Sequence, residues 1–427
     1  MERQVKKLIY FALYWIIYNS LISRYIWSNE VIAFIPDIII FYLFFTNIKK
    51  LWKFRLTPII GKVIPIIVKM IFVIGIIGAL LSMNNIVATL WGIRMELRYI
   101  LLFMLTLRFF KAPDIRKTPK ILYQGFNMNL FFCILQFAMG TFGDDVGGTF
   151  SNNGSLFLYC LLCSYLFIGD YLQNRLSKKG FVWRVAGMLF VAVAAEIKMM
   201  YFLLPLTLYA GYVLLKKFSI NHIIILIIAF IGLIPTMSFV MSFFYNEDYI
   251  NKVFDVDAIK EETTHSYGFH EGGFNRSTSI ALTDQVIIRD YPQKLIGYGI
   301  GSANGSSYFK TWIFDKYKRT TFHYFAPSYI MTELGWIGFL LICIGYGILS
   351  YRFYLFYSEY HNTRIKYWSS IGLLSSVSTF VFGWYNNIPY FDYYMFYFLW
   401  AICFLAINIE NKRTARNEQR FLKKLIV

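Results

Sequence analysis

The groups in this chain that could do chemistry are few, and most fall late. Between residues 271 and 338, Arg276 and Arg289 supply guanidinium forks, His323 an imidazole and Glu333 a carboxyl, with Glu271 as a second acid. A guanidinium offers a bidentate donor pair suited to phosphate, while an imidazole with an ordinary pKa near ~6.5 takes up a proton at neutral pH. Lys198, in Glu196-Ile197-Lys198, adds a point charge. Arg94 and Arg98 stand at i and i+4 in WGIRMELRYILLF, on one helix face, with Glu96 pointing elsewhere. Two arginines sharing a face should repel, so they call for carboxylate partners or a bound polyanion. The chemistry this set describes is neutralisation of a phosphate-like anion beside a base for a hydroxyl.

Other constellations carry less. Asp255-Val256-Asp257 has the form of a metal-holding DxD but reads as a solvated acidic pair. His265 and His270, near Glu261, Glu262 and Glu271, lack the tight spacing of a metal site. Cys160 and Cys163 form a CxxC inside an apolar run, where two small apolar fillers are the simpler reading, and all five cysteines fall in such runs, so no disulfide framework is legible. There is no P-loop, no GxSxG and no dinucleotide fingerprint; GYGIGSANG lacks the strand and helix context that such a site requires. No metal and no cofactor is expected.

The elements that must position these groups are membrane helices. The 427 residues are 57% hydrophobic, 20% aromatic and only 15% charged, too apolar for a water-soluble domain of this size. The net charge of +18 arises from short basic clusters between apolar runs, which argues against nucleic acid and for topology. Scanning for runs of about 20 apolar residues predicts twelve spans, at 8–24, 31–48, 63–82, 86–110, 121–140, 152–172, 182–197, 199–216, 220–244, 325–350, 365–385 and 390–409. With both termini cytoplasmic, the inside segments hold 28 of the 42 Lys and Arg residues, and the outside turns at 82–85, 141–151 and 386–389 hold none. The split within 182–216, around Glu196, Lys198 and Pro205, is what keeps that asymmetry. Lys69 and Asp37 read as snorkelling or structural groups.

The expectation is therefore an all-α polytopic membrane protein of about twelve transmembrane helices. Residues 1–244 hold nine of them, 245–324 form one large extracytoplasmic loop, 325–409 hold three more, and 410–427 form a basic cytoplasmic tail. Within the loop, Ser277 to Ile288 reads as weakly helical and GYGIGSANGS as a turn-rich wall.

The order Arg276, a helix-like run, Asp290-Tyr291-Pro292, Gly297-Tyr298-Gly299-Ile300-Gly301, His323 and Thr332-Glu333-Leu334-Gly335-Trp336-Ile337-Gly338 resembles the large-loop signature of bacterial O-antigen and capsule polymerases and of the related O-antigen ligases. WGIRMELRYILLF, GGTFSNNGSLFLY and the Glu196–Pro205 turn extend the likeness more loosely. The resemblance implies a GT-C-like, metal-independent glycosyltransferase in the bacterial cytoplasmic membrane. Its donor would be a polyprenyl-diphosphate-linked oligosaccharide on the outer face, its acceptor a sugar hydroxyl, its product a capsule or the polysaccharide of lipopolysaccharide. A flippase and a chain-length regulator would be its partners besides membrane lipid, with no nucleic acid. On this likeness Arg276 matches the family's loop arginine, and Lys198 sits where relatives place a basic residue. Arg276, Lys198, Arg94 and Arg289 would bind substrate, and His323, Arg276 and Glu333 would be catalytic. His323 falls where ligases have a histidine, but Tyr324 follows in place of the usual Asn, which favours polymerase over ligase. A flippase or secondary transporter is the reading from another class, disfavoured because the polar chemistry gathers at one face.

Overall fold

The computed structural model describes residues 2–27, 30–54, 56–216, 274–306 and 309–425, together with scattered positions between 224 and 251. The expected ninth span at 220–244, Asp255, Asp257, Glu261, Glu262, His265, His270 and Glu271 lie largely or wholly outside the described residues.

Among the described residues the fold is helical, with eleven long helices. They are α1 (Glu2–Tyr25), α2 (Ile35–Trp52), α3 (Val63–Leu81), α4 (Ile86–Phe109), α5 (Ala112–Ala138), α6 (Asn153–Leu172), α7 (Lys178–Ala194), α8 (Lys198–Leu215), α9 (Ala326–Glu359), α10 (Thr363–Tyr385) and α11 (Tyr394–Leu425). Seven helical segments are long and apolar enough to cross a membrane: Val31–Trp52, α3, α5, α6, α8, α9 and Tyr394–Arg416. Among the described residues this is an all-helical, membrane-embedded protein. α4 falls outside that group because Arg94, Glu96, Arg98 and Arg108 interrupt its apolar run, and α7 because it has 17 residues. The 182–216 region is two helices. Its turn, Ala195–Ile197, holds Glu196 at φ 50°, a left-handed conformation that ends α7 abruptly.

Sequence punctuation fixes several helix starts. Asn85 and Asn152 accept backbone N–H groups from the first turns of α4 and α6, and Pro327 opens α9 where a missing N–H costs nothing. The main core runs through all of the long helices except α3, from Val5 and Ile9 of α1 to Cys403 and Ile407 of α11. α6 lies at its centre: every residue from Gly154 to Asp170 is buried. A smaller core, built on Phe274, Ile287, Ile313, Phe322 and Tyr329, joins the loop residues to α9.

α9 is broken. Gly335 sits at φ 62°, ψ −167°, splitting it into a short leading half and a long trailing half. A break at membrane depth strands backbone carbonyls, and each must find a donor. The glycine-rich loop supplies them: Tyr298 N–H donates to the Thr332 carbonyl at 2.8 Å and Gly299 N–H to the Glu333 carbonyl at 2.8 Å. Gly297, Gly299 and Gly301 all have positive φ, and a Cβ on Gly299 or Gly301 would strike the backbone of α3 or α4. On the far side Ile300 N–H reaches the Gly75 carbonyl at 3.0 Å and Asn84 holds the Tyr298 carbonyl at 2.6 Å. The turn-rich wall read from the sequence is thus a wedge of backbone packed between α3, α4 and the break in α9.

Candidate functional site

Several of the residues singled out in the sequence meet at one segment, Tyr385–Tyr394, between α10 and α11, which the sequence divides between a turn at 386–389 and the ends of two expected spans. Arg276 lies just before the short helix Ser279–Leu282, in a turn that Asn275 caps through its side chain. Its Nε donates to the Tyr385 carbonyl at 3.0 Å, and its guanidinium lies 4.6 Å from the Tyr385 ring centroid. Asn387 donates to the carbonyl of His323, so the base candidate is pinned two residues further along the same segment. The His323 ring packs 5.0 Å from Phe314 and 4.3 Å from Tyr324, and its Nδ1 is buried without a hydrogen-bond partner among the described residues. Burial holds this imidazole below its ordinary value of 6.5, so it is neutral at pH 7.

Glu333 ends the leading half of α9 and is fully buried. Tyr390 Oη donates to its Oε2 at 2.9 Å and Ala303 N–H to its Oε1 at 3.3 Å, while the Gly301 amide and Tyr329 also interact with the carboxyl. Donors surround the carboxylate, and its chemistry is spent on holding the glycine loop and the Tyr385–Tyr394 segment to α9. Next to this loop, Asp284 accepts from Trp336 Nε1 at 2.7 Å and pairs with Lys294 at 2.8 Å, which ties the Thr283–Ile287 turn to the trailing half of α9. The weakly helical stretch expected at Ser277–Ile288 is the helix Ser279–Leu282 followed by a π-type turn over Thr283–Ile287.

Arg94 and Arg98 do share a face, and they share one carboxylate. Asp37, near the start of α2, lies 3.1 Å from Arg94 Nη1 and 3.5 Å from Arg98 Nη1, and it also accepts from the Tyr394 hydroxyl. Arg98 Nη2 donates to Tyr99 Oη and to the Phe391 carbonyl, both at 2.7 Å. Arg94 is sandwiched between Trp91 and Phe34, 3.9 and 4.7 Å from their centroids, and stays 20% exposed. Of the two partners expected for this arginine pair, the carboxylate is present. Asp392 of the segment and Glu96 also act on Arg98, so the two arginines lie among three carboxyl groups.

Lys198 opens α8 at the Ala195–Ile197 turn, and Asn153 Nδ2 reaches the Ala195 carbonyl at 3.4 Å, placing that turn against the start of α6. The start of α6 in turn touches the segment: a Cβ on Gly154 would collide with Ile388, and Asp392 faces Ser155. Lys198 therefore borders the assembly one helix away. Arg289 stands exposed beyond the buried Ile287 and Ile288 and makes none of these contacts. All five cysteines are free thiols, including Cys160 and Cys163, which are buried in α6.

Beneath the segment lies an elongated cavity of about 550 Å³. One end is formed by Ile280, Pro327 and Trp384, the other by Leu56, Ile60 and Leu349, and the walls are almost wholly apolar. The charged groups that line it are Lys69 and Glu96. Glu96 faces the cavity from α4, opposite to Arg94 and Arg98, and approaches the Tyr390 hydroxyl. Ile280 stands one turn from Arg276, and Trp384 adjoins the Tyr385 that holds it. Arg276, which does not itself line the cavity, is thus close in the chain to one of its apolar ends and is held by a neighbour of another lining residue.

No family model, no curated protein and no solved structure matches this chain.

Proposed function

We propose that this protein is a polymerase that joins polyprenyl-diphosphate-linked oligosaccharide units into a surface polysaccharide on the outer face of the bacterial cytoplasmic membrane, with both termini cytoplasmic and twelve spans. The observation that carries this reading is Arg276, close in the chain to the Ile280–Trp384 end of an apolar cavity. A lipid diphosphate is long and apolar at one end and multiply anionic at the other, and this pairing has the same polarity.

The chemistry follows from what each residue can do. Attack of a sugar hydroxyl on the anomeric carbon breaks the bond to the diphosphate, and charge develops on the departing phosphate oxygen. A fixed guanidinium that meets this charge lowers the barrier without moving. Arg276 is held by both the carbonyl and the ring of Tyr385, so its orientation is set before substrate arrives. The proton of the attacking hydroxyl needs an acceptor, and neutral His323, fixed to the same segment through Asn387, supplies one. Lys198, one helix away, adds positive charge to the surface over which the donor headgroup lies, and Arg94 and Arg289 contribute from its margins. Glu333 acts as a positioning residue, because its carboxyl is enclosed.

The test is elongation in liposomes. Purified protein with a lipid-linked oligosaccharide, without metal or nucleotide, should lengthen the glycan, and Arg276→Ala should reduce the rate on the order of 100- to 1000-fold with normal expression. Normal elongation by Arg276→Ala would remove the site assignment. A ligase is the alternative within the same chemistry. It would leave intact long chains on the carrier in a deletion strain, whereas loss of a polymerase leaves single units. A transporter is favoured by one observation, the discontinuity of α9 at Gly335, since broken helices line substrate paths in many carriers. Metal-independent glycan transfer by the purified chain decides against it.

A further inference from the structure

We propose that the Leu56–Leu349 end of the cavity is a second lipid-phosphate site, occupied by an anionic glycerophospholipid whose acyl chain lies in the cavity and whose phosphate rests on Arg352. The inference stands apart from the polymerase reading but shares its cavity, so a phospholipid chain entering at Leu56 and a carrier chain entering at Trp384 would compete for the same space.

Three observations carry it. First, the cavity does not stop at the Arg276 end: it continues along α3 and α9 to Leu56, Ile60, Ile64 and Leu349, an apolar slot that one lipid chain fits. Second, Arg352 stands one turn beyond Leu349 on α9, and its guanidinium packs against the turn before α3, where a Cβ added at Gly61 would lie 3.6 Å from Nε. That Nε is buried and has no hydrogen-bond partner among the described residues, and the guanidinium leans over Phe356 at 5.2 Å from its centroid. An arginine with a buried, unused donor beside an apolar slot is arranged for an anionic oxygen. Third, among the described residues the charges on the turns at this end are basic, while the carboxyl that lines the cavity, Glu96, lies further in beside the Tyr390 hydroxyl. Lys53 and Lys62 are exposed on the flanking turns, and Lys69 lines the cavity wall. The acids of the basic segments are already engaged: Glu2 pairs with Lys111, Asp114 with Lys6, Asp170 with Arg175 and Glu410 with Arg364. Glu359, exposed two turns further along α9, is too remote to neutralise Arg352.

A phosphate is favoured over a carboxylate lipid because Lys53 and Lys62 are exposed on the turns at the same end as Arg352, and a phosphodiester offers oxygens to more than one cation. In the proposed topology this end faces the cytoplasm, where anionic headgroups draw basic side chains to the surface.

The experiment is native mass spectrometry of the full-length protein in detergent, with phosphatidylglycerol or phosphatidylcholine added at equal concentration. The wild type should retain one phosphatidylglycerol preferentially. Arg352→Gln should weaken that retention by about fivefold, the effect of one basic group near an anionic surface. Arg352→Lys should restore part of it, and Arg364→Gln, which alters a paired arginine on the same side, should leave it unchanged. Equal retention of the two lipids by the wild type would overturn the proposal, as would undiminished phosphatidylglycerol on Arg352→Gln. An equal loss in Arg364→Gln would mean general surface attraction. Displacement of phosphatidylglycerol by equimolar polyprenyl phosphate, with the same dependence on Arg352, would move the assignment from phospholipid to the carrier.

Discussion

Arg276 and His323 are fastened to the same short stretch of backbone: Arg276 Nε donates to the Tyr385 carbonyl and Asn387 donates to the His323 carbonyl. The cation and the base candidate lie 47 residues apart in sequence, yet their spacing is set by the rigidity of three residues at the end of α10. Removing either tether should therefore disturb both groups, and Asn387→Ala should lower transfer without touching a reacting atom.

His323 gives a pH signature. Burial depresses its pKa below 6.5, so it remains a neutral base at pH values where an exposed imidazole would be half protonated. Transfer should hold as pH falls through 6.5 and decline only below it, and His323→Gln should abolish that acid limb. The same shift bears on stability. Between the folded pKa and 6.5 the unfolded chain binds more protons, so stability is complete above 6.5 and is lost as pH falls through that window. Rate profiles and melting curves against pH check the two effects separately.

Asp37 should matter more than either arginine it serves. Asp37→Ala removes the carboxylate that Arg94 and Arg98 share, a loss of roughly 3–5 kcal/mol for a broken buried pair. Arg94→Gln leaves the Asp37–Arg98 contact in place and should cost about 1–2 kcal/mol. Combining Asp37→Ala with Arg94→Gln should cost less than the sum of the two, because the repulsion is then gone. Thermal unfolding in detergent measures all three.

Gly335→Ala should destabilise by at least about 1–2 kcal/mol, since an L side chain at φ 62° is strained and its Cβ would press on the backbone of Leu295 and Gly297. Gly347→Ala, in the trailing half of α9 with open space around it, should instead stabilise by about 0.5–1 kcal/mol. Opposite shifts in melting temperature from two glycines on one helix would mark the break as structural.

Reporter fusions at residues 180 and 260 should fall on opposite sides of the membrane if the twelve-span topology is right. A shared side would reverse the assignment of the loop.

The sequence was most informative where a periodic or compositional rule applied. Arg94, Glu96 and Arg98 partition between two helix faces as the i, i+4 spacing requires, and the break at Glu196 was legible from a charged pair inside an apolar run. The glycine loop was recognised as backbone-rich. What it closes on, the broken α9, was not, because Gly335 reads equally well as a small residue within a span. The Tyr385–Tyr394 segment was missed for a plainer reason. It acts largely through the carbonyls of Tyr385, Tyr390 and Phe391, and no side-chain type announces that a carbonyl is recruited. Its tyrosines look like an interfacial aromatic belt. Asp37 likewise shows its partners only once α2 lies against α4.

Arg276 and Arg98 both donate to main-chain carbonyls of one segment, those of Tyr385 and Phe391. A carbonyl carries no titratable proton, so the anchoring of the two guanidinium groups is the same in acid and in alkali, and only groups that meet substrate can give transfer its dependence on pH.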